Sequence, residues 1–355
     1  MTEQKRKFRI GLGSFDFIKG FGIIITVLFH ASVKYSKDGS PFFYALNLLL
    51  SIGLAAMPMY FFISGYGFKP TSTRSMLKKT FSDLIVPYLL IAAAHAVIVP
   101  ISYYLPWKNI KDALLMAVRY IAAFLLGNPE EGKEVFGFAL MWNSAAWFFL
   151  ALFINMNLLN WILRIRNIYL QIGCVLLSLV GDACLTSIDM PLFSIAKALR
   201  YFPYLYFGYL LKKHNLLSRL VTCPWIYLLL VPLWLVDAEQ LPFAERLGLF
   251  GGIPACGIYM AQALLIVLLG LWANRINLMP FEWIKQIGMY TYWIIAIHSV
   301  ELTAIPWGIM AEKFSSHPEL GYCIEIALKF VLITSFCMLF KHLTKRKYRR
   351  TKLHA

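Results

Sequence analysis

Between Phe15 and Lys341 the chain is a succession of apolar runs, most of them about twenty residues long, each closed by a short polar break. At a rise of about 1.5 Å per residue, a helix of that length crosses the roughly 30 Å hydrocarbon core of a bilayer. Composition agrees: 59% of residues are hydrophobic and 15% charged, against about 25% charged in soluble chains. Mean hydropathy is +0.65. The fold class that follows is all-α, a polytopic bundle of transmembrane helices. The chain reads as one domain over 1–355, with the bundle at 10–342 and a basic tail at 343–355.

Ten spans are expected, at about 15–33, 43–66, 83–104, 144–163, 168–187, 192–211, 224–237, 252–273, 285–305 and 320–341. The seventh is the shortest. Orientation follows from the distribution of the 34 lysines and arginines, because loops rich in them stay cytoplasmic. With the N-terminus inside, most of them fall in inner segments, including Lys69, Arg74, Lys78 and Lys79, the pair Lys212 and Lys213, and the tail from Lys341 to Lys352. The outer segments are richer in acid, with Glu130, Glu131, Glu134 and Asp189 among them. Both ends are therefore expected in the cytoplasm. The same distribution explains the net charge of +16 without a nucleic-acid partner. The six cysteines have no metal-like spacing and read as small apolar residues, so neither a metal nor a bound cofactor is expected. The stretch "KNIKDALLMAVRYIAAFLLG" has helical apolar spacing and a polar face, and is expected to lie along the outer membrane surface.

The first span, "FDFIKGFGIIITVLFH", holds residues that a lipid-facing helix would avoid. Lys19 and His30 are eleven apart, so they share one face about 16 Å apart along the axis. Asp16 lies on that face too. Charged groups inside a bilayer are costly and normally face a partner or a cavity. The bland alternative makes Asp16 a helix cap and Lys19 a side chain that snorkels inward. Counting depth along the other spans puts Asp182, Lys197, Arg200, His298 and Glu301 in the outer half with His30, and His95 nearer the middle. That set reads as a polar chamber or as an ion-paired network between helices. At the inner side, "PMYFFISGYGFKP" leads into Lys69, Arg74, Lys78 and Lys79, a cluster suited to a phosphorylated ligand. Ser64 and Gly65 there would let backbone or ligand come close.

Taken together these stretches resemble the acyltransferase 3 family of integral membrane acyltransferases. The resemblance rests on Lys19-x10-His30, on "FFISGYGFK" ending in Lys69, and on "LIVPYLL", "WFFLALF" from Trp147, "RYFPYLYFGYLL" from Arg200 and "YWIIAIH" ending at His298, all in family order. Lysine stands at 19 and 69 where the family usually has arginine, and lysine lacks the planar fork that makes bidentate contacts. The chain looks like a standalone member, without the extracytoplasmic domain that some members carry.

The resemblance implies transfer of an acyl group, often acetyl, from cytoplasmic acyl-CoA as co-substrate to a hydroxyl of a carbohydrate or lipid-linked glycan. Asp16, Lys19, Ser64, Lys69, Arg74, Lys78 and Lys79 would then serve the donor, with the face of the first span guiding its arm outward. His30 would be general base or covalent acyl carrier. Lys197, Arg200, His298, Trp147 and Asp182 would serve the acceptor or the oxyanion. A multi-pass protein of a bacterial plasma membrane is expected, with the bilayer, donor and acceptor as partners and a homo-oligomer compatible with the sequence. The competing readings are a proton-coupled transporter of a small anion or sugar, and a non-catalytic scaffold.

Overall fold

The computed structural model describes residues 10–35, 40–50, 55–130, 132–188, 193–239 and 253–353. Its helices are α1 (Asp16–Tyr35), α2 (Pro41–Leu50), α3 (Ala56–Gly67), α4 (Thr73–Thr80), α5 (Val86–Trp107), α6 (Ile110–Leu126), α7 (Trp147–Ile162) and α8 (Ile168–Ile188). They continue with α9 (Ile195–Lys213), α10 (Leu217–Leu220), α11 (Pro224–Glu239), α12 (Ile253–Ala273), α13 (Met279–Met289), α14 (Thr291–Ala304), α15 (Trp307–Lys313) and α16 (Pro318–Leu353). One antiparallel hairpin, β1 (Glu134–Val135) and β2 (Phe138–Ala139), interrupts them.

Among the described residues, five helices are long and apolar enough to cross a membrane: Gly13–Tyr35, Thr73–Pro106, Ser144–Ile162, Ile168–Ser187 and Cys256–Ala273. A sixth arises if α14 and α15, bent by 59°, form one span. The bend has a local cause. Pro306 has no N–H to continue the ladder, and it holds Ile305 extended at φ −102° and ψ 124°. The protein is thus a multi-pass helical membrane protein. The stretch expected at 43–66 falls on α2 and α3, with 51–54 outside the described residues, that at 285–305 falls on α13 and α14 joined at Tyr290, and that at 320–341 lies within the single helix α16.

Bilayer helices gain little from hiding apolar surface from one another and associate through close contact of small residues. Two crossings follow that rule. A Cβ on Gly288 would run into the Asp16 carbonyl and one on Gly20 into the Ile284 carbonyl, so α1 and α13 touch backbone to backbone. Gly65 and Gly208 do the same for α3 and α9. What comes close at Gly65 is therefore the α9 backbone at Leu205, and the Ser64 hydroxyl donates to the Tyr60 carbonyl at 2.8 Å.

The expected surface helix behaves differently. Lys108 turns the chain in left-handed conformation, and α6 returns antiparallel along α5. The Tyr88 hydroxyl donates to the Phe124 carbonyl at 2.5 Å, Tyr120 packs on His95, and Ala113 and Ala117 pack with Val99 and Tyr103. Its small residues fit it to a neighbouring helix, and hydropathy spacing alone does not distinguish that neighbour from a membrane surface.

The loops after α3, α7, α9 and α12 meet at the Asp16 end of α1. Phe15 packs edge-on against Tyr66, Lys212 lies over the Tyr66 ring, the Thr71 N–H donates to Asn160, and the Phe17 N–H donates to Asn274. This is the end where the basic loops gather.

Candidate active site

The polar face of α1 is divided between two neighbourhoods. At its first turn Lys19 pairs with Asp16 at 2.6 Å, a contact between residues three apart that also suits the positive end of the helix dipole. Three turns on, His30 meets α14. Its ring centroid is 5.4 Å from that of His298 and 6.4 Å from that of Trp142. Trp142 is carried by a loop that Asn128 staples together, its side-chain amide donating to the carbonyls of Glu130 and Met141.

Behind His298 lies a chain of buried charges. Glu301 is one turn further along α14, and its Oε1 is 2.6 Å from His298 Nδ1. Lys329 of α16 bonds both Glu301 oxygens, at 3.1 and 3.0 Å, and reaches Glu325 at 3.2 Å. Lys34 of α1 closes the chain on Glu325 at 3.3 Å. The Trp307 indole N–H donates to Glu301 Oε2 at 2.9 Å, and Lys329 sits over the Trp307 ring. His298, Glu325 and Lys329 are fully buried. Two carboxylates and two ammonium groups cancel, so the network calls for no imidazolium. The carboxylate at Nδ1 assigns the His298 proton to that nitrogen and leaves a lone pair on Nε2. Nε2 is buried, has no hydrogen-bond partner among the described residues, and belongs to the ring that packs beside His30.

The polar residues grouped by depth in the sequence are shared among several helix contacts. Arg200 Nε pairs with Asp182 at 2.8 Å. Lys197 pairs with Glu130 at 3.0 Å, and Lys133 joins it at 3.4 Å. Burial disfavours the charge on Glu130, but the two lysines outweigh that and hold its carboxyl below the ordinary value. Trp147 stacks on Tyr201 at 5.4 Å. His95 is satisfied by the Ile91 carbonyl and the Thr303 hydroxyl, as a structural histidine would be. Of the expected outer set, His30, His298 and Glu301 come together. Lys34, Glu325, Lys329, Trp142 and Trp307 complete the cluster, and sequence reasoning passed over them. One signal was present: Glu325 and Lys329 stand four apart within an apolar run, the spacing of a helical ion pair.

At the other end, Lys69, Arg74, Lys78 and Lys79 are exposed. Lys69 and Lys79 line an open cleft of about 850 Å³ with Asp83, Tyr292 and Trp293, and no residue of α1 borders it. The α1 face expected to guide a donor therefore does not border this cleft, whereas α14 does, through Tyr292 and Trp293. A π-helical turn, Phe81–Ile85, between α4 and α5 presents the Asp83 carbonyl, which accepts from the Tyr292 hydroxyl. From Trp293 to His298 is about 8 Å along α14.

Residues 12–342 match the family model of the acyltransferase 3 domain. The chain belongs to the acyltransferase 3 family. No curated protein and no solved structure matches it. This membrane acyltransferase therefore requires an acyl donor, an acceptor and the bilayer. Among the described residues, the paired histidines and the basic cleft are candidate places for that work.

Proposed function

We propose that this acyltransferase takes its acyl group from cytoplasmic acyl-CoA and passes it to a hydroxyl of a carbohydrate or lipid-linked glycan beyond the opposite face of the membrane. The observation that carries the reading is the His30–His298 pair, backed by Glu301 and joined by α14 to a basic cleft. Lys69 and Lys79 hold the donor phosphates, with Arg74 and Lys78 adding to the local field. The acceptor oxygen attacks the thioester carbonyl, the C–O bond forms and the C–S bond breaks. His298 Nε2, in place of the His30 base expected from the sequence, takes the hydroxyl proton and returns it to the leaving thiolate, while Glu301 keeps the ring in the accepting tautomer. His30, across from it, offers its N–H to the carbonyl oxygen or carries the acyl group in a covalent step. The purified protein should release thiol from acyl-CoA when a crude extract of surface glycans is added. Thiol release no faster than with extract alone would sink the reading. Lys69→Gln and Lys79→Gln should raise the KM for acyl-CoA by about tenfold, more at low salt than at high, because an exposed charge–phosphate contact is screened. An unchanged KM with a reduced kcat would remove the cleft from donor binding.

The same reading orients the protein with ten spans and both ends cytoplasmic, in a bacterial plasma membrane. Convergence of the basic loops at the Asp16 end supports it. In a background without its own cysteines, Glu134→Cys should react with a membrane-impermeant maleimide on intact cells, and Ser75→Cys only after lysis. The reverse pattern would invert the protein and with it the direction of transfer.

A further inference from the structure

A second hollow lies against a different face of α14 from the cleft. It is a groove of about 250 Å³ between α1, α13, α14 and α16. Its floor is Ile23, Val27, Ile294 and Ile333, all buried, and its rim includes Trp283 and Met338, both exposed. Helix register ties this floor to the histidines, because residues three or four apart share a face. On α1, Ile23 and Val27 lead to His30. On α14, Ile294 leads to His298. On α16, which runs the opposite way beside them, Ile333 is four residues past Lys329. The apolar floor and the charged cluster are successive turns of the same three helix faces. The groove begins about one turn from the histidine pair and runs toward the Asp16 end of α1.

We infer that this groove holds the acyl chain of the donor, and that the preferred donor carries a chain of medium length rather than acetyl. The inference rests on the acyl-CoA reading above. In a thioester the chain hangs from the carbon that the acceptor oxygen attacks. With that carbon between His30 and His298, the chain must leave from the pair itself, and the groove is an apolar space that begins about one turn away, at Val27 and Ile294. Acetyl would end before reaching it. The transfer balances as before. The ester C–O bond replaces the thioester C–S bond, the hydroxyl proton ends on the thiol, and the chain stays attached to the carbonyl carbon throughout.

The test is binding of coenzyme A and of its acetyl, butyryl and octanoyl thioesters to the full chain in phosphatidylcholine nanodiscs, read by displacement of a fluorescent coenzyme A. A fully buried methylene contributes up to about fourfold, so octanoyl-CoA should bind at least about tenfold more tightly than acetyl-CoA even in a half-open groove. Ile294→Phe fills the floor and should bring that ratio down to about twofold or less. Thr334→Trp, at an exposed position on the rim, should lower it as well without requiring the core to repack. Failure of coenzyme A itself to displace the probe would sink the donor reading. Coenzyme A binding with no gain from chain length, or a ratio that neither substitution moves, would overturn the groove and leave the donor reading standing.

Discussion

Replacing either His30 or His298 by alanine should cut acyl transfer by about 10²–10⁴-fold, the range a positioned proton-transfer group supplies. The double substitution should cost little more than the worse single one, because groups that act on one proton and one carbonyl fail as a unit. The expectation comes from the rings' placement. They face each other with centroids 5.4 Å apart, and the Nε2 of His298 has no partner of its own within the described structure. Glu301→Gln tests the orienting carboxylate separately. An amide at that position can present its carbonyl to Nδ1–H or its NH₂ to a bare Nδ1, so the tautomer is no longer fixed, and a loss comparable to that of His298→Ala is expected. All variants should insert, since losing a polar ring does not weaken a lipid-embedded helix. Thiol release is to be compared on matched amounts of monodisperse, folded protein. Near-normal turnover in His30→Ala would remove it from the chemistry, and near-normal turnover in His298→Ala would do the same for the proposed base. An acyl group found on His30 by mass spectrometry, after quenching with donor alone, would make that residue the carrier.

The sequence made α1 legible down to its register, because an eleven-residue separation between a lysine and a histidine can be converted to a shared face with nothing but helix geometry. It also made the exposed basic cluster of Lys69, Arg74, Lys78 and Lys79 legible, since a run of charge needs no tertiary information to be seen. The chamber was harder. Counting residues gave depth, and depth alone put Asp182 and Arg200 beside His298. Which helices are neighbours depends on where backbones can touch, and that was settled by contacts such as Gly288 against Asp16 and Gly208 against Phe62, which no window average reports. Besides His298 on its own helix, the partners of Glu301 come from α15 and α16. Glu325 and Lys329 were hidden because a span can carry a mutually neutralising pair and still read as apolar. Ser64, which its motif placed with the donor set, has its hydroxyl bonded back to the Tyr60 carbonyl of its own helix.

The largest effect on stability should come from Lys329. It is fully buried, touches both Glu301 and Glu325, and is the charge that holds α16 to α14. Lys329→Met keeps much of the apolar stem but leaves two buried carboxylates with Lys34 as the one cation beside them and, on Glu301, the N–H groups of Trp307 and His298. Breaking a buried pair from one side costs about 3–5 kcal/mol, because the stranded charge has neither water nor a counter-ion. The variant should therefore denature in detergent at a midpoint many degrees lower, with activity falling in proportion to the folded fraction or further. The double variant Lys329→Met with Glu325→Gln removes one charge of each sign and should recover a good part of the loss. Lys34 then faces an amide, and Glu301 keeps its bonds to Trp307 and His298. That recovery is what distinguishes an electrostatic cause from a packing defect, since a cavity left by the shorter side chain would remain in both variants. If Lys329→Met melts like the unaltered protein, the four charges do not stabilise the bundle. If the double variant is no better than the single one, the charge balance inferred for the network is wrong, and with it the argument that His298 needs no imidazolium charge.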